Sequence, residues 1–302
     1  MSKTLAPSVV VTTRDPKGLK FVSIVEAAYN KAGLSEEEAQ HVNDTSGLSE
    51  LVANFIDENR RTNQFADEEV VSNYGYLSGY RKPAEITNQI DILRSHWPNL
   101  NPDLALRYLR EMYPTLQVPG WVEGPFAIIR PGFFSDKYGE ELAEVLKAIA
   151  KDRKGKFVNC REGQLGPEYL HQKSERTLIS LRSLVEQQPG SDILISPAQF
   201  GIRHRGRSVR RVRVVFVVGE YGSGAKDVGT MILTNPMRLQ HCDDLWIDCA
   251  GDEFAPGADG RFARAPYFHF CDGRVKFYAH RVSSVHDDYG SVSAFLPAVS
   301  AP

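Results

Sequence analysis

Long apolar runs are missing from this chain. No stretch approaches the roughly 20 apolar residues that a membrane-spanning helix needs, so no membrane partner is expected. Met1 to Leu19 lacks the apolar centre of a secretory signal. Cysteine is scarce: Cys160, Cys242, Cys249 and Cys271 are the only four, and no two form a C-x-x-C pair. That argues against a zinc site. A chain of 302 residues needs no disulfide staples either. Reduced thiols in a cytoplasmic protein follow as the expectation. A charge excess is also lacking, because the formal net charge is −2. Global charge therefore predicts neither nucleic-acid nor membrane binding, and either would need a local patch. Internal repeats and low-complexity segments are absent, and no cofactor is expected.

What is present is the composition of a folded protein, 42% hydrophobic and 25% charged. The first part reads as helical. Residues 1–20 are polar and read as a loose arm. Phe21, Ile24, Val25 and Ala28 have helical spacing, and Gly33 stops that helix. Ser35 with Glu38 gives a capping box. Leu48, Leu51, Val52 and Phe55 predict another helix, Ile86, Ile90 and Leu93 a third, and Leu104 to Met112 a fourth, between Pro102 and Pro114. The composition changes at Val118-Pro119-Gly120. Beyond it, Trp121–Ile129 reads as a strand, Asp136–Lys151 and Glu168–Gln188 as helices, and Asp192–Ile195 as the start of a strand. The remainder reads as mostly strands and turns. Val209–Val218 is ambiguous: its β-branched run suits a strand, and its arginines suit a helix face. The fold class is α+β, with a boundary expected between residues 118 and 119.

Three segments carry candidate chemistry. The first is basic: Arg203, His204, Arg205, Arg207, Arg210, Arg211 and Arg213. Such a cluster can grip phosphates, but no aromatic interleaves it to stack bases. Arginines also fork onto carboxylates inside a fold, and the acidic stretches further along offer partners. The second is acidic: Asp243, Asp244, Asp248, Asp252, Glu253 and Asp259. Its spacing is not that of an EF-hand loop, and no neighbouring group serves as nucleophile or base. Turn formation and pairing with the arginines is the simpler reading.

The third segment, Ala265 to Pro297, is the informative one. Asp272-Gly273 predicts a two-residue hairpin turn. That register opposes Cys271 to Arg274, Phe270 to Val275, His269 to Lys276, Phe268 to Phe277 and Tyr267 to Tyr278. One face then holds Phe268, Phe270, Val275 and Phe277. The other holds Tyr267, His269, Cys271, Arg274, Lys276 and Tyr278. Val282 and Val285 look like anchors. Around them come His280, Arg281, Ser283, Ser284, His286, Asp287, Asp288 and Tyr289. Gly290 to Pro297 reads as a closing strand, with Val292 inward. The outward set is expected to be exposed. Tyrosine with serine is the palette of adaptable binding loops, and the set contains no ordered nucleophile, base and orienter.

These residues resemble the C-terminal variable region of proteins diversified by diversity-generating retroelements. The resemblance rests on Pro197–Ser208, Leu245–Phe254, Ala265–Phe270 and Tyr289–Pro297, and is best over residues 192–302. It implies a C-type-lectin-like domain of the formylglycine-generating-enzyme subtype over 119–302, behind a helical region, 1–118, of unknown role. It also implies that miscopied template adenines turn Asn-type codons into Tyr, His, Asp, Ser, Cys or Arg. On this view Tyr267, His269, Cys271, Tyr278, His280, Arg281, Ser283, Ser284, His286, Asp287, Asp288 and Tyr289 bind a ligand, a protein or other macromolecule. Such a protein is not an enzyme. Two alternatives stand beside it: a nucleic-acid-binding protein using residues 203–213, or a cysteine-dependent enzyme of the same fold in which Cys249 and Cys271 pair.

Overall fold

The computed structural model describes residues 14–45, 47–48, 51–52, 55–56, 64–172, 175–257 and 260–297, and they form an α+β chain. Contacts divide it into two units, 1–60 and 61–302. The boundary expected at 118 therefore falls inside the second unit, because the helices before it pack into that unit's core.

In the first unit, α1 spans Pro16–Ala32 and α2 spans Glu36–Asp44. The first helix begins five residues earlier than its apolar pattern suggests. Proline at a first-turn position costs nothing there, since that N–H has no intrahelical partner. Gly33 ends α1 at φ 63°, and Ser35 and Glu38 form both halves of the expected capping box. Leu48, Leu51, Val52 and Phe55 are helical positions, while the residues between them and the arm 1–13 lie outside the described residues.

In the second unit, α3 (Ile86–His96) and α4 (Asp103–Glu111) follow their predicted spacing. The strands are β1 (Gly124–Ile129), β2 (Phe157–Asn159), β3 (Leu170–Gln172), β4 (Ile193–Gln199), β5 (Glu220–Gly222), β6 (Trp246–Asp248), β7 (Asp252–Phe254), β8 (Arg264–Cys271), β9 (Arg274–Arg281), β10 (Tyr289–Ser291) and β11 (Ser293–Phe295). The helices α5 (Tyr138–Asp152), α6 (Glu175–Gln187), α7 (Val209–Val215) and α8 (Ala225–Thr234) lie among them. One antiparallel sheet has the order β1-β4-β11-β5. The other is built on β8, with β9 and then β2 on one side and β6 and β7 on the other. Strand β10 extends β6 in parallel, and β3 extends β7.

Three segments differ from their sequence reading. Residues 170–172 form β3 rather than the first turn of α6, because they pair with β7. The ambiguous arginine-rich run is helix α7, set by Ser208, whose hydroxyl accepts the Arg211 N–H. Helix α8 has no counterpart in the sequence reading. All ten of its residues are buried, so no polar face gives it an amphipathic period. Val228, Met231 and Ile232 pack into the main core with Val145, Ile149 and Phe268. A Cβ at Gly229 would lie 2.9 Å from Val145 Cγ1, so only glycine lets α8 approach α5 this closely. Lys226 on α8 is paired: its Nζ donates to Ile129 O at 2.9 Å and lies 3.3 Å from Glu141 Oε2. The Asp252 carboxyl group accepts the Ala225 N–H at 2.7 Å and so satisfies a donor at the helix N-terminus.

Candidate functional site

The hairpin register is the predicted one at all five positions from Cys271↔Arg274 to Tyr267↔Tyr278. Asp272 and Gly273 take φ of 52° and 71°, the double positive φ of a type I′ turn. Phe268, Val275 and Phe277 are fully buried, and Phe270 packs at the core's margin. Val292 is buried, Val282 packs on a second small core formed by Val209, Val212, Phe216, Ala250 and Ala265, and Phe295 meets Trp121 edge-on.

The opposite face is continued by β6, β10 and β2, whose pairing no local pattern announces. Alternation along paired strands sets two rows across it. Tyr289, Trp246, His269, Lys276 and Val158 form one, and Ser291, Asp248, Tyr267, Tyr278 and Cys160 the other. This face is not bare as expected. Trp246 stacks on Tyr267 at 5.5 Å and 6°, and on Tyr289 at 4.8 Å and 21°. It also lies 4.2 Å from the His269 ring. Tyr267, Tyr289 and His269 are consequently only 6%, 8% and 7% exposed. Aromatic pairs of this kind each contribute about 0.5–1.5 kcal/mol beyond the area they cover.

The twelve candidate residues therefore separate into three groups. Tyr278, Arg281, His286 and Asp287 are exposed. Cys271, His280, Ser283, Ser284 and Asp288 are half-buried. Tyr267, His269 and Tyr289 are the buried floor, which corrects the expectation of a uniformly outward set. Arg161 lies 4.1 Å over the Tyr278 ring, a cation–π contact that caps the row's end.

Asp248 lies beneath the rings with no exposed surface. Its Oδ1 is 2.7 Å from His280 Nε2, and His280 packs edge-on to Tyr267 at 5.0 Å and Tyr289 at 4.8 Å. Burial first, then the Asp248 charge, raises the Tyr267 phenol above its ordinary range, and burial, then Tyr267 and Asp248, raises that of Tyr289, so both stay neutral. Burial and then Lys276 push His269 down to about 4, leaving it neutral at pH 7. Asp248 Oδ2, Ser291 Oγ, His280 Nδ1 and His269 Nδ1 are buried without a hydrogen-bond partner among the described residues. Ser291 and His280 thus make no bond to each other, and the nucleophile-to-base link of a triad is lacking here. What the layer offers is aromatic surface above unused acceptors.

The arginines of 203–213 are engaged inside the fold. Arg203 and His204 meet Glu220 at 2.8 and 2.7 Å, and Arg207 meets Glu69 at 3.1 Å. Arg210 pairs with Glu68 and Arg211 with Glu69. Arg205 donates to Tyr74 O at 2.8 Å, and Arg213 to Glu253, Ala250 O and Asp252 O. Pairing is as the sequence suggests, but most partners lie upstream or at Glu220 rather than in the acidic stretch.

That stretch is dispersed rather than clustered. Asp243 is exposed beside His241, and Asp244 accepts from the Leu77, Ser78, Gln240 and His241 N–H groups. Asp252 accepts from Tyr138, and Asp259 lies outside the described residues. Among the described residues no group of three or more His, Cys, Asp or Glu side chains is arranged to hold a metal ion.

All four cysteines are free. Cys249 donates its N–H to Pro266 O, five residues along β8 from Cys271. The two are about 16 Å apart at a strand's rise per residue, beyond the roughly 7 Å a disulfide spans. Burial and then Asp252 push the Cys249 thiol up, the reverse of an activated thiolate. The cysteine pair of the enzyme alternative is not formed.

Trp246, Asp248, Ser291 and Cys160 complete the face and are absent from the candidate set. Asp248 stood only in the acidic segment. The β6–β10 and β2–β9 pairings are parallel and distant in sequence, so nothing local marks them. Comparison with family models, curated protein sequences and solved structures gives no match.

Proposed function

We propose that this is a non-enzymatic ligand-binding protein, cytoplasmic, displaying a retroelement-diversified surface on a rigid C-type-lectin-like scaffold. One observation carries the reading. Mixed Tyr, His, Ser and Asp side chains gather on one face of the β8–β9 hairpin and the loop after it, while the other face is core and Arg281, the last residue of β9, alternates onto that other side. A sheet held in this way loses little conformational entropy on binding. The exposed Tyr278, His286 and Asp287 are the contact residues, and buried Tyr267, His269 and Tyr289 hold that face in place. Four free thiols fit a reducing compartment.

The test is on the gene. A near-repeat of the codons for 264–297, differing almost only at adenines and lying beside a reverse-transcriptase gene, is the expected finding. Its absence within a few kilobases would overturn the retroelement reading. Binding itself is tested by H286A and D287A against a ligand selected from a protein library. Both variants should lose binding with melting temperatures unchanged, and retained binding in both would refute the contact surface.

A further inference from the structure

A cleft of about 270 Å³ opens in the second unit between residues 79–84 and residues 234–237, where α8 ends. The polar groups of its inner wall are already satisfied. Asn235 Oδ1 accepts the Ala84 N–H at 2.8 Å, and Asn235 Nδ2 donates to Met231 O at 2.9 Å. Thr234 Oγ1 donates to Thr230 O at 3.0 Å. Pro236 O receives Arg153 Nη2 at 2.9 Å and Gln240 Nε2 at 3.0 Å. With those groups committed, the wall offers a ligand apolar surface, chiefly the flexible Met237 side chain, 48% exposed, beside Pro236 and Ala84. Arg81 and Lys82 also line the cleft, and both are exposed. Arg81 Nη1 donates to Tyr76 O and Tyr80 O, each at 3.2 Å, so backbone rather than an acid holds the guanidinium. Its Nε–Nη2 edge has no partner among the described residues. That is the edge with which Arg203 forks onto Glu220. Lys82 Nζ lies 3.8 Å from Glu85 Oε1 with both side chains 76% exposed, a contact that water screens.

We propose that this cleft binds a small organic carboxylate, with its apolar body against Met237 and Pro236 and its head on Arg81 and Lys82. The site is separate from the hairpin face and stands whether or not that face takes a ligand. A planar two-oxygen head matches the free guanidinium edge, the geometry of a bidentate pair. An arginine already pinned by two carbonyls has less rotamer freedom left to lose on binding. Pockets for drug-sized molecules run to about 300–1,000 Å³, so a cleft of this volume suits a smaller molecule, a short-chain acid in particular. Inorganic phosphate lacks a body to cover the apolar wall, and an amine is repelled by both cations.

The probes are hexanoate, hexan-1-ol and n-hexylammonium, titrated into the full chain carrying ¹³C-methyl methionine. The chain has four methionines, and M237L assigns the resonance of the one in the cleft. Hexanoate should shift the Met237 methyl saturably, hexan-1-ol should need about tenfold more, and n-hexylammonium should leave it in place. R81Q should weaken hexanoate about tenfold, the scale of one hydrogen bond to a charged group. R81K, which keeps the charge and loses the fork, should fall between. The resonance of Met231, buried on α8, reports in each variant that the fold is intact. Equal affinity for hexanoate and hexan-1-ol would overturn the anion site and leave an apolar crevice. Unchanged hexanoate affinity in R81Q would overturn it as well, and would assign Arg81 to complementing the carbonyl end of α8. A hexanoate titration that shifts other methionines and not Met237 would place binding elsewhere and refute the cleft.

Discussion

Glu220 is the residue whose loss should cost the second unit most clearly through charge. It has no exposed surface, and its carboxylate receives Arg203 Nε at 2.8 Å, His204 Nε2 at 2.7 Å, Ser293 Oγ at 2.7 Å and the Val217 N–H at 3.2 Å. Burial alone would raise its pKa, but hydrogen bonds from His204, Arg203 and Ser293 outweigh it and hold the group at about 2, against an ordinary 4.5. His204 donates through Nε2 because its Nδ1 faces Arg207 Nη1 at 3.2 Å. A depressed carboxylate contributes stability that is complete above the unfolded value and is lost as pH falls through the folded one. The shift is worth about 3 kcal/mol at pH 7 and about half that at pH 3. E220Q keeps the shape and removes the charge. Urea unfolding followed by tryptophan fluorescence reads the second unit alone, since Trp97, Trp121 and Trp246 all lie in it. The variant should lose about 3 kcal/mol at pH 7, a melting shift of about 6–12 °C. The gap to the native chain should narrow to about half at pH 3. A gap of constant size from pH 7 to pH 3 would refute the charge argument, and no gap at pH 7 would refute the network.

Asp227 has the opposite sign. Burial raises it from 3.8 to about 6, so its stability contribution is complete below pH 3.8 and lost as pH rises through 6. D227N should therefore be more stable than the native chain at pH 8, by up to about 3 kcal/mol, with the gain vanishing near pH 4 in the same urea assay. A Cβ at Gly290 would lie 2.5 Å from Gly201 O, so G290A should lose about 1–3 kcal/mol by overpacking and shift the Trp246 emission through Tyr289. Y267A and Y289A, which remove stacked and buried rings, should each lose about 3 kcal/mol or more in melts. Y278A, at an exposed position, should stay within about 0.5 kcal/mol of the native chain. A thiol reagent should label exposed Cys160 and Cys242 within minutes and leave buried Cys249 untouched until the protein unfolds.

Local chemistry was legible and distant pairing was not. The Asp272-Gly273 turn needs only two residues to set a register, and it set every pair between Tyr267 and Tyr278. Ser35 with Glu38 and Gly33 likewise act within one helical turn. Helix α8 escaped because burial on every side erases the pattern that marks a helix. Strand β3 escaped because three residues beside a helix have no period of their own. The tyrosines were assigned to the outward face of the hairpin correctly. The burial of Tyr267 was hidden, because the cover, Trp246, arrives on a strand whose parallel partner β10 is about 40 residues away in sequence. Pairing of the arginines was foreseeable from their chemistry, and the identity of Glu68, Glu69 and Glu220 as partners was not.

The last two strands join what the rest of the second unit keeps apart. Strand β10 lies beside β6 in the hairpin sheet, and after Val292 the chain enters the other sheet as β11, between β4 and β5. A polypeptide ending before Tyr289 would leave β4, β5 and β6 with unpaired edges and Trp246 without its neighbour. On a ribosome, the molecule can close only after its final strands have emerged. A frameshift or stop codon within residues 264–288 would therefore yield a chain that cannot assemble and is open to proteolysis. The architecture works as a filter on its own reading frame, passing only chains that are read through past Phe295.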